Sequence, residues 1–311
     1  MPEGHVSFRR LDDAIGLDSE SLMSHSLADL LTRLDLQQIE TDVFSGTSPQ
    51  AGFVRVFGGL VVAQALMAVS RTVPERPPHS LHSYFLLPGD PAKPITYEVE
   101  RLRDGGSFSS RRCVAKQDCR TIFALTASFQ TLEDGFDYAP TMPDVPKPEA
   151  LLDLAGLKAA LGDHLPEGVR RYLERERPID LRIVDLKRFA PRPAGAPPRT
   201  GQKIWMRAKG ALPDDPAIHR GVLAYLSDMT LLDVSLVPHD SSVFDGKVQA
   251  ASLDHAIWFH RPFRADEWML YDAEAQSTQG ARGLCRGRLF SASGQLIATT
   301  MQEGLIRPKA V

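Results

Sequence analysis

Cysteine is scarce in this chain. Its 311 residues include only Cys113, Cys119 and Cys285, too few for a disulfide framework, and no pair has C-x-x-C spacing. Proteins that depend on disulfides are mostly secreted, whereas free cysteines are usual in a reducing compartment. The cysteine content therefore argues against a disulfide-rich secreted protein and favours a cytoplasmic location.

Long apolar runs are also missing. No stretch approaches the ~18 apolar residues that span a bilayer, and the N-terminus lacks the apolar core of a secretory signal. Acidic residues at positions 12, 13, 18 and 20 argue against a mitochondrial transit peptide, and the C-terminal letters IRPKAV are not a peroxisomal S-K-L address. We therefore expect a soluble cytoplasmic protein with no membrane partner.

Several sequence signals for other functions are absent. The formal net charge is −3 with no Lys/Arg block, so nucleic acid is not an expected partner. GGSFS (105–109) lacks the closing glycine of a nucleophile elbow, and GGLVVAQ (58–64) lacks both G-x-G-x-x-G and a Walker lysine. His255 and His260 would point to opposite faces of a strand, which disfavours a metal site with Asp254. We predict no metal and no cofactor.

The apolar pattern predicts an α+β fold that occurs twice. A helix at 56–73 precedes four strand-like runs, and a helix at 217–232 precedes four more. The runs are 79–86, 95–103, 107–117 and 121–130 in the first half, and 250–260, 267–277, 281–290 and 296–306 in the second. A shift of 174 positions (262 − 88 = 174) overlays Pro88 on Pro262 without a gap, and the shared order of elements predicts a duplicated domain. The predicted divisions are an N-terminal extension at 1–24, a first domain at 25–135, a linker with surface helices at 136–177, and a second domain at 178–311.

One carboxylate stands in the apolar, helix-like run AYLSDMTLLDV (224–234). Asp is a poor helix-interior residue, and a carboxylate beside a buried face costs roughly several kcal/mol unless a partner satisfies it. Comparison of the halves shows that only the second combines a carboxylate, a hydroxyl and an amide, groups that together can aim a water molecule at an electrophilic carbon. The opposed pairs are Asp228 and Gln64 (228 − 64 = 164), Ser252 and Pro78, and Gln302 and Ser128.

Each of the three polar residues also has a purely structural interpretation. Asp228 could be a partly exposed helix residue, or an acceptor for a neighbouring N–H group. Ser252 could cap a strand, and Gln302 could face solvent, because it alternates with Met301. The pattern alone leaves both interpretations open.

Several long motifs occur in a specific order along the chain. They are VFGGLVVAQAL (56–66), HSLHSYFLLPGD (79–90), LRDGGSFSSRR (102–112), TASFQ (126–130), YLSDMTLL (225–232), LVPHD (236–240), SLDHAIWFHRPF (252–263), EWMLY (267–271) and TMQEG (300–304). With these motifs, the sequence from about residue 26 to 307 strongly resembles the bacterial acyl-CoA thioesterase II (TesB) family, which includes peroxisomal acyl-CoA thioesterases of eukaryotes.

The resemblance implies a double hotdog of the α+β class, in which each of two fused domains has a long helix wrapped by an antiparallel sheet. It also implies hydrolysis of fatty acyl-CoA to free fatty acid and CoA without a covalent intermediate. The family's catalytic aspartate, hydroxyl residue and glutamine match Asp228, Ser252 and Gln302. Some members have threonine where this chain has Ser252, and serine lacks the methyl group that restrains χ1.

The residues expected to contact the substrate are less specific. The glycine pair after Phe57 permits close backbone approach and is a candidate for the oxyanion site, and Trp258 is a candidate for the wall of an acyl tunnel. Arginines such as Arg264 and Arg288 are candidates for the CoA phosphates, although solvated arginines at sheet edges would give the same pattern. The predicted substrate-binding residues are Gly58, Gly59, Gln64, Trp258, Arg261 and Arg286.

Two other functions remain open at this point. A hotdog enoyl-CoA hydratase would carry an Asp/His pair in a GDxNPxH-type segment, which the sequence lacks. A non-catalytic acyl-CoA sensor would keep the fold, but the presence of all three site residue types weighs against it. The expected assembly is a homodimer of double hotdogs that pair through their sheets, with acyl-CoA as the substrate.

Overall fold

A computed structural model gives the fold of residues 26–49, 55–161, 167–174, 176–189 and 192–309, and the predicted N-terminal extension lies outside these described residues. The helices are α1 Leu27–Leu34, α2 Gly58–Arg71, α3 Leu154–Leu161, α4 Glu167–Glu174 and α5 Pro216–Ser227, with short 3-10 helices at Pro148–Ala150, Leu186–Phe189 and Leu232–His239. The strands are β1 Gln37–Glu40, β2 Val43–Gly46, β3 Pro78–Phe85, β4 Ile95–Asp104, β5 Phe108–Gln117, β6 Arg120–Gln130, β7 Ile179–Ile183, β8 Gly201–Ala208, β9 Val248–Ser252, β10 Asp254–Phe259, β11 Met269–Gln279, β12 Arg282–Ser291 and β13 Leu296–Pro308.

The helix α2 is the centre of the first half. Its sequence is apolar on nearly every side, which is typical of a helix buried all round, and residues 59–69 are all buried. Buried and exposed positions alternate along β5 and β6, as expected when one face of a sheet covers a core. The strands of this half follow the order β1-β2-β4-β5-β6-β3, with all neighbours antiparallel.

The second half repeats this arrangement around α5. Its strands follow the order β10-β13-β12-β11-β8-β7, and β9 pairs with the end of β13. The two halves join edge to edge through β3 and β10, where His82 pairs with Ala256, so the described strands form a single 13-stranded sheet. The antiparallel sheet and the long central helices agree with the predicted double hotdog.

The shift of 174 positions reproduces several of the strand bounds of the second half. It carries Phe108–Gln117 onto positions 282–291, which are the bounds of β12, and it carries the first residue of β4 onto the first residue of β11. Tyr97 and Tyr271, overlaid by the same shift, both lie fully buried with their hydroxyl groups bonded to the central helix of their own half. The predicted repeat therefore corresponds to a repeat in the structure.

The expectation that no stretch is long and apolar enough to span a bilayer needs a correction at Pro216–His239, where α5, a turn and a 3-10 helix follow one another. These 24 residues have a mean hydropathy of 1.3 over the most apolar 18-residue window, which by length and composition alone suffices to cross a membrane. In the fold, 72% of that window is buried inside the protein. The apolar character of this stretch is explained by its position in the core.

The two central helices pack against each other through glycines. A Cβ on Gly59 would lie 2.4 Å from the carbonyl oxygen of Tyr225, and a Cβ on Gly221 would lie 3.1 Å from the sulfur of Met67. Since early α2 meets late α5, the helices run antiparallel. The N-terminus of α2, from the first half, therefore lies against the C-terminus of α5, from the second half.

Candidate active site

The sequence suggested that Asp228 lies within a helix. In the structure it lies at the end of α5. The helix ends at Ser227, and Asp228 is its C-cap residue with φ −85° and ψ −11°. Carbonyl groups at a helix C-terminus disfavour a negative charge, so this position alone does not explain an aspartate. The partners of its carboxylate come from other elements.

Gln302 joins Asp228 to Ser252. Its amide Nε2 donates to Asp228 Oδ1 at 2.5 Å and to Ser252 Oγ at 3.1 Å. Gln302 is fully buried in β13, where its side chain faces the helices, and Ser252 is the last residue of β9, which pairs with Gly304 on β13. The structure therefore brings together the three residues that the sequence singled out.

Among the described residues, the amide oxygen of Gln302 has no hydrogen-bond partner. Both N–H groups of this amide are used, whereas Oε1 is buried and accepts no hydrogen bond from the described residues. A buried carbonyl oxygen without a donor is uncommon, and a water molecule often satisfies such a group. The Asp228 carboxylate and this oxygen can both accept hydrogen bonds from a water molecule, which donates two.

The carboxyl group of Asp228 has a raised pKa. Burial raises it from the ordinary 3.8 to about 6, while hydrogen bonds from Gln302, the backbone N–H of Gly59 and Ser252 act in the opposite direction. A carboxylate with a pKa near 6 is ionised at neutral pH and is a stronger base than an ordinary aspartate. The environment of Asp228 therefore suits proton transfer near neutral pH.

The N-terminus of α2 supplies the backbone donor to this carboxylate. Its N-cap residue, Phe57, makes no side-chain capping bond, so the first N–H groups of the helix are available to an anion. Gly59 donates to Asp228, and a Cβ on Gly58 would lie 2.8 Å from Asp228 Oδ2. Both glycines predicted from the sequence thus lie directly beside Asp228.

A second layer of side chains, which sequence reasoning missed, supports the end of α5. His255 is fully buried, with Nε2 2.8 Å from Ser227 Oγ, and the hydroxyl of Tyr271 donates to the carbonyl of Ser227 at 3.0 Å. Burial lowers the pKa of His255 to about 3, so its imidazole is neutral. In the sequence, the shift of 174 positions pairs Tyr97 with Tyr271 (271 − 97 = 174), and this match is the signal that could have indicated the layer.

Partly exposed apolar side chains lie beside the glycine pair that contacts Asp228. Phe57, Phe85, Tyr225 and Met229 are all partly exposed and pack on the main core. The rings of Phe57 and Tyr225 make an edge contact with centroids 5.1 Å apart, and Phe85 lies 2.9 Å from the position of a Cβ on Gly58. An acyl chain that reaches Asp228 would therefore meet an apolar rim.

The other predicted substrate-binding residues do not join this cluster. Trp258 lies on the sheet with its ring 5.0 Å from that of His82. Arg261 pairs with Asp137, and Arg286 pairs with Glu274. These three side chains have partners of their own away from the Asp228 carboxylate.

Gln64, the first-half counterpart of Asp228, is enclosed in structural hydrogen bonds. Its Nε2 donates to the carbonyls of Arg33 and Thr47 at 2.9 Å each, and its Oε1 accepts from Tyr97 at 2.6 Å. Ser128, the counterpart of Gln302, lies 2.8 Å from His79 Nε2. The first half therefore does not reproduce the arrangement around Asp228.

Comparison with known proteins assigns the chain to a family. A family model described as acyl-CoA thioesterase matches residues 184–305, and one described as acyl-CoA thioesterase N-terminal domain matches residues 45–130. The chain is 42% identical over 292 residues to acyl-CoA thioesterase 2 of Haemophilus influenzae. The match covers 92% of this chain and 99% of that protein.

Solved structures agree with this assignment. The acyl-CoA thioesterase II TesB2 from Mycobacterium marinum is 41% identical, with a TM-score of 0.74 over 90% of this chain and 99% of that chain. A protein with a hot dog fold from Alicyclobacillus acidocaldarius, 20% identical, has a TM-score of 0.72 over 91% of this chain and 99% of that chain. The chain therefore belongs to the acyl-CoA thioesterase II (TesB) family, whose members hydrolyse acyl-CoA thioesters on a double hotdog fold.

Proposed function

We propose that Asp228, Ser252 and Gln302 orient and activate one water molecule for direct attack on the thioester carbonyl of a fatty acyl-CoA. The observation that carries this proposal is the bridge made by the Gln302 amide, whose Nε2 reaches both Asp228 Oδ1 and Ser252 Oγ. Its two N–H groups are committed to these residues, so its Oε1 is left to accept from the water. The hydroxyl of Ser252 and the carboxylate complete the hydrogen-bonding set.

The chemistry follows from these roles. The water oxygen forms a bond to the carbonyl carbon while Asp228 takes one of its protons, and the carbonyl oxygen becomes an oxyanion. The positive end of the α2 helix dipole stabilises this charge, and the Gly58 N–H group is the proposed donor, since the Gly59 N–H already bonds Asp228. When the oxyanion collapses, the C–S bond breaks, and the CoA thiolate receives the proton from Asp228. The products are the fatty acid and CoA.

The location and assembly of the enzyme remain predictions. We propose a cytoplasmic enzyme, on the basis of its cysteine content. We also propose a homodimer in which double hotdogs pair through their sheets. Light scattering on the purified protein tests the dimer, and a mass of one chain would exclude it.

The test of the mechanism is a thiol-release assay on acyl-CoA esters of increasing chain length, with Asp228→Asn as the variant. Loss of a general base typically lowers the rate by ~10²–10⁴, and we expect kcat to fall in that range with the fold unchanged. Asp180→Asn is the matched control, because Asp180 pairs with Arg207 at the far edge of the sheet. A folded Asp228→Asn enzyme with wild-type kcat would exclude this role for Asp228.

Binding and hydration assays on the wild-type protein, beside thiol release, separate the alternative functions. Tight acyl-CoA binding by the wild-type protein without thiol release would indicate a sensor. Hydration of crotonyl-CoA to a chiral alcohol, without free CoA, would indicate a hydratase. Release of CoA thiol with one equivalent of fatty acid supports the hydrolysis proposed here.

A further inference from the structure

The arginines that the sequence suggested for the CoA phosphates are neutralised by carboxylates in the fold. Each pair joins a guanidinium to an acidic side chain of the second half or of the preceding linker, so these arginines have little charge left for a phosphate. The pairs are Arg261 with Asp137, Arg264 with Asp214 and Asp266, Arg286 with Glu274, and Arg288 with Asp272.

A different group of cations lies beside the strand that carries Ser252. It consists of Arg55, Lys247, Arg307 and Lys309, called here the β9 cations, and all four side chains are exposed. Within the described part of the chain, none of them has a carboxylate oxygen within 4.0 Å. This group contrasts with the paired arginines named above.

The backbone of β9 fixes the positions of these cations. Arg55 Nη2 donates to the carbonyl of Ala250 at 3.1 Å, two residues before Ser252. Arg307 pairs across the sheet with Gln249, and the N–H of Lys309 donates to the carbonyl of Lys247 at 2.8 Å. The β9 cations therefore follow one strand away from the catalytic serine.

The acidic groups near the β9 cations have other partners. The carboxylate of Asp245, next to Lys247, accepts from the Ser241 hydroxyl and the N–H groups of Ser242 and Lys247. Glu303 pairs with Arg282. Asp254 accepts from the N–H of Glu303 at 2.6 Å. Asp245 partly offsets the charge of Lys247, so the other three cations carry most of the excess.

The distances of the β9 cations from Ser252 fit the length of CoA between its thioester and its phosphates. The pantetheine arm of CoA, from the thioester sulfur to the first phosphate, contains about as many bonds as the backbone of four residues. When extended it is therefore roughly 15 Å long. Along a strand, Ala250 is about 7 Å and Lys247 about 17 Å from Ser252, at about 3.3 Å per residue. A thioester at Asp228 with its arm along β9 would thus bring the phosphates among the cations.

We propose that the β9 cations bind the phosphate groups of CoA and hold the thioester at Asp228. The inference rests on the proposed function, because it places the reacting carbonyl at that residue. Arg55 is the central member, since it links the start of α2 to β9 at the rim of the site. Guanidinium groups suit phosphate because their N–H groups donate in pairs.

The test compares two substrates that share the acyl chain. One is the acyl-CoA and the other is the acyl-pantetheine thioester, which lacks phosphate. For Arg55→Gln, which keeps a donor for Ala250, we expect KM for acyl-CoA to rise roughly three- to tenfold with kcat nearly unchanged. KM for acyl-pantetheine should stay at the wild-type value. The Lys247→Ala, Arg307→Ala and Lys309→Ala variants test the other members in the same way.

A matched control and a binding measurement make the outcome decisive. Arg112→Ala removes one positive charge from the first half, where Arg112 lies 3.6 Å from Glu100, and should change neither KM. Equal changes in KM for both substrates, or no change for acyl-CoA, would overturn the proposal. If the wild-type protein hydrolyses neither substrate, the proposed function fails. Titration of CoA itself then decides the inference, because its Kd must still rise in the Arg55→Gln variant.

Discussion

Gly58 and Asp228 come from different halves of the chain, yet a Cβ on Gly58 would lie 2.8 Å from Asp228 Oδ2. Contacts of that kind require one of the two groups to move. The carboxylate is held on its other side by Gln302, and the ring of Phe85 closes the space beside the glycine. Glycine at this position is therefore explained by the site and not by helix formation.

Replacement of Gly58 by alanine should lower kcat about 10- to 100-fold, because the methyl group displaces the Asp228 carboxylate from the position proposed for proton transfer. Stability should change little, since alanine favours helices. Gly106→Ala is the control, because a Cβ there meets no atom within 4 Å. In contrast, Gly59→Ala should lower the free energy of unfolding, since its Cβ meets the backbone oxygen of Tyr225 at 2.4 Å. Unchanged kcat in Gly58→Ala would show that the carboxylate tolerates the displacement.

The pH dependence of hydrolysis should report the carboxyl group of Asp228. Its pKa is raised to about 6, chiefly by burial, and only the ionised form can accept a proton. We expect kcat/KM to rise with pH through about 6 and to reach a plateau above pH 7. His255 should not contribute in this range, since burial keeps its pKa about 3. A profile that is flat from pH 5 to 8 would contradict this assignment.

The same carboxyl group should lower stability at neutral pH. Because its pKa is higher in the folded protein than the ordinary 3.8, the folded state holds the proton longer, and stability falls as pH rises from about 4 to 6. Asp228→Asn should therefore raise the free energy of unfolding by about 1–3 kcal/mol at pH 8 and very little at pH 4. Urea unfolding at both pH values measures the difference.

Asp266→Asn should change the free energy of unfolding in the opposite direction. Burial alone would raise the pKa of Asp266, but hydrogen bonds from Arg264 and the N–H of Leu212 hold it below its ordinary value. Its ionised form therefore stabilises the fold, and the asparagine variant should lose stability at pH 8. A gain in Asp228→Asn that is equal at both pH values would point to a cause other than charge.

Substitutions of Ser252 should distinguish the effect of its hydroxyl on kcat from the effect of an added methyl group. Ser252→Thr keeps the oxygen that accepts from Gln302 and adds a methyl group that restrains χ1, so we expect kcat within about threefold of the wild type. Ser252→Ala removes the hydroxyl and should lower kcat about 10- to 100-fold. Ser252→Val, which has the shape of threonine without the oxygen, should resemble alanine. Full activity in Ser252→Val would exclude a role for the hydroxyl.

Gln64 should prove structural, although the sequence suggested a role in substrate binding. Gln64→Leu leaves the carbonyls of Arg33 and Thr47 and the hydroxyl of Tyr97 without their partner. Buried groups left unpaired in this way destabilise by about 1–3 kcal/mol each before relaxation. Thermal unfolding should occur at a clearly lower temperature, while KM for acyl-CoA stays unchanged. A raised KM at unchanged stability would restore the binding role.

Local patterns predicted most elements close to their observed bounds. The helix predicted at 56–73 is Gly58–Arg71, and the strand-like run 107–117 is Phe108–Gln117. The run 250–260 was less accurate, because Leu253 divides it into β9 and β10. The strand β8 was not predicted, since Gly201–Ala208 follows a proline-rich stretch and shows no regular alternation. The predicted domain divisions stay predictions.

The residue types of the site were readable from the sequence, but their surroundings were not. Asp228 stood out because a carboxylate interrupts an apolar run, and the repeat pointed to Ser252 and Gln302. Nothing local indicated that Arg261 and Arg286 would pair with carboxylates or that Arg55 would reach Ala250. Ion pairs and edge contacts depend on which strands become neighbours, so residue type alone does not reveal them.

The α+β class, the repeat and the family follow from the sequence alone, because periodic apolar residues and ordered motifs are local properties of the chain. The contact between the N-terminus of α2, in the first half, and Asp228, in the second half, becomes visible only in the fold. The fold also leaves the amide oxygen of Gln302 buried and without a hydrogen bond from any described residue. These groups lie far apart along the chain. They meet because antiparallel packing of two buried helices and the register of β9 on β13 bring them together.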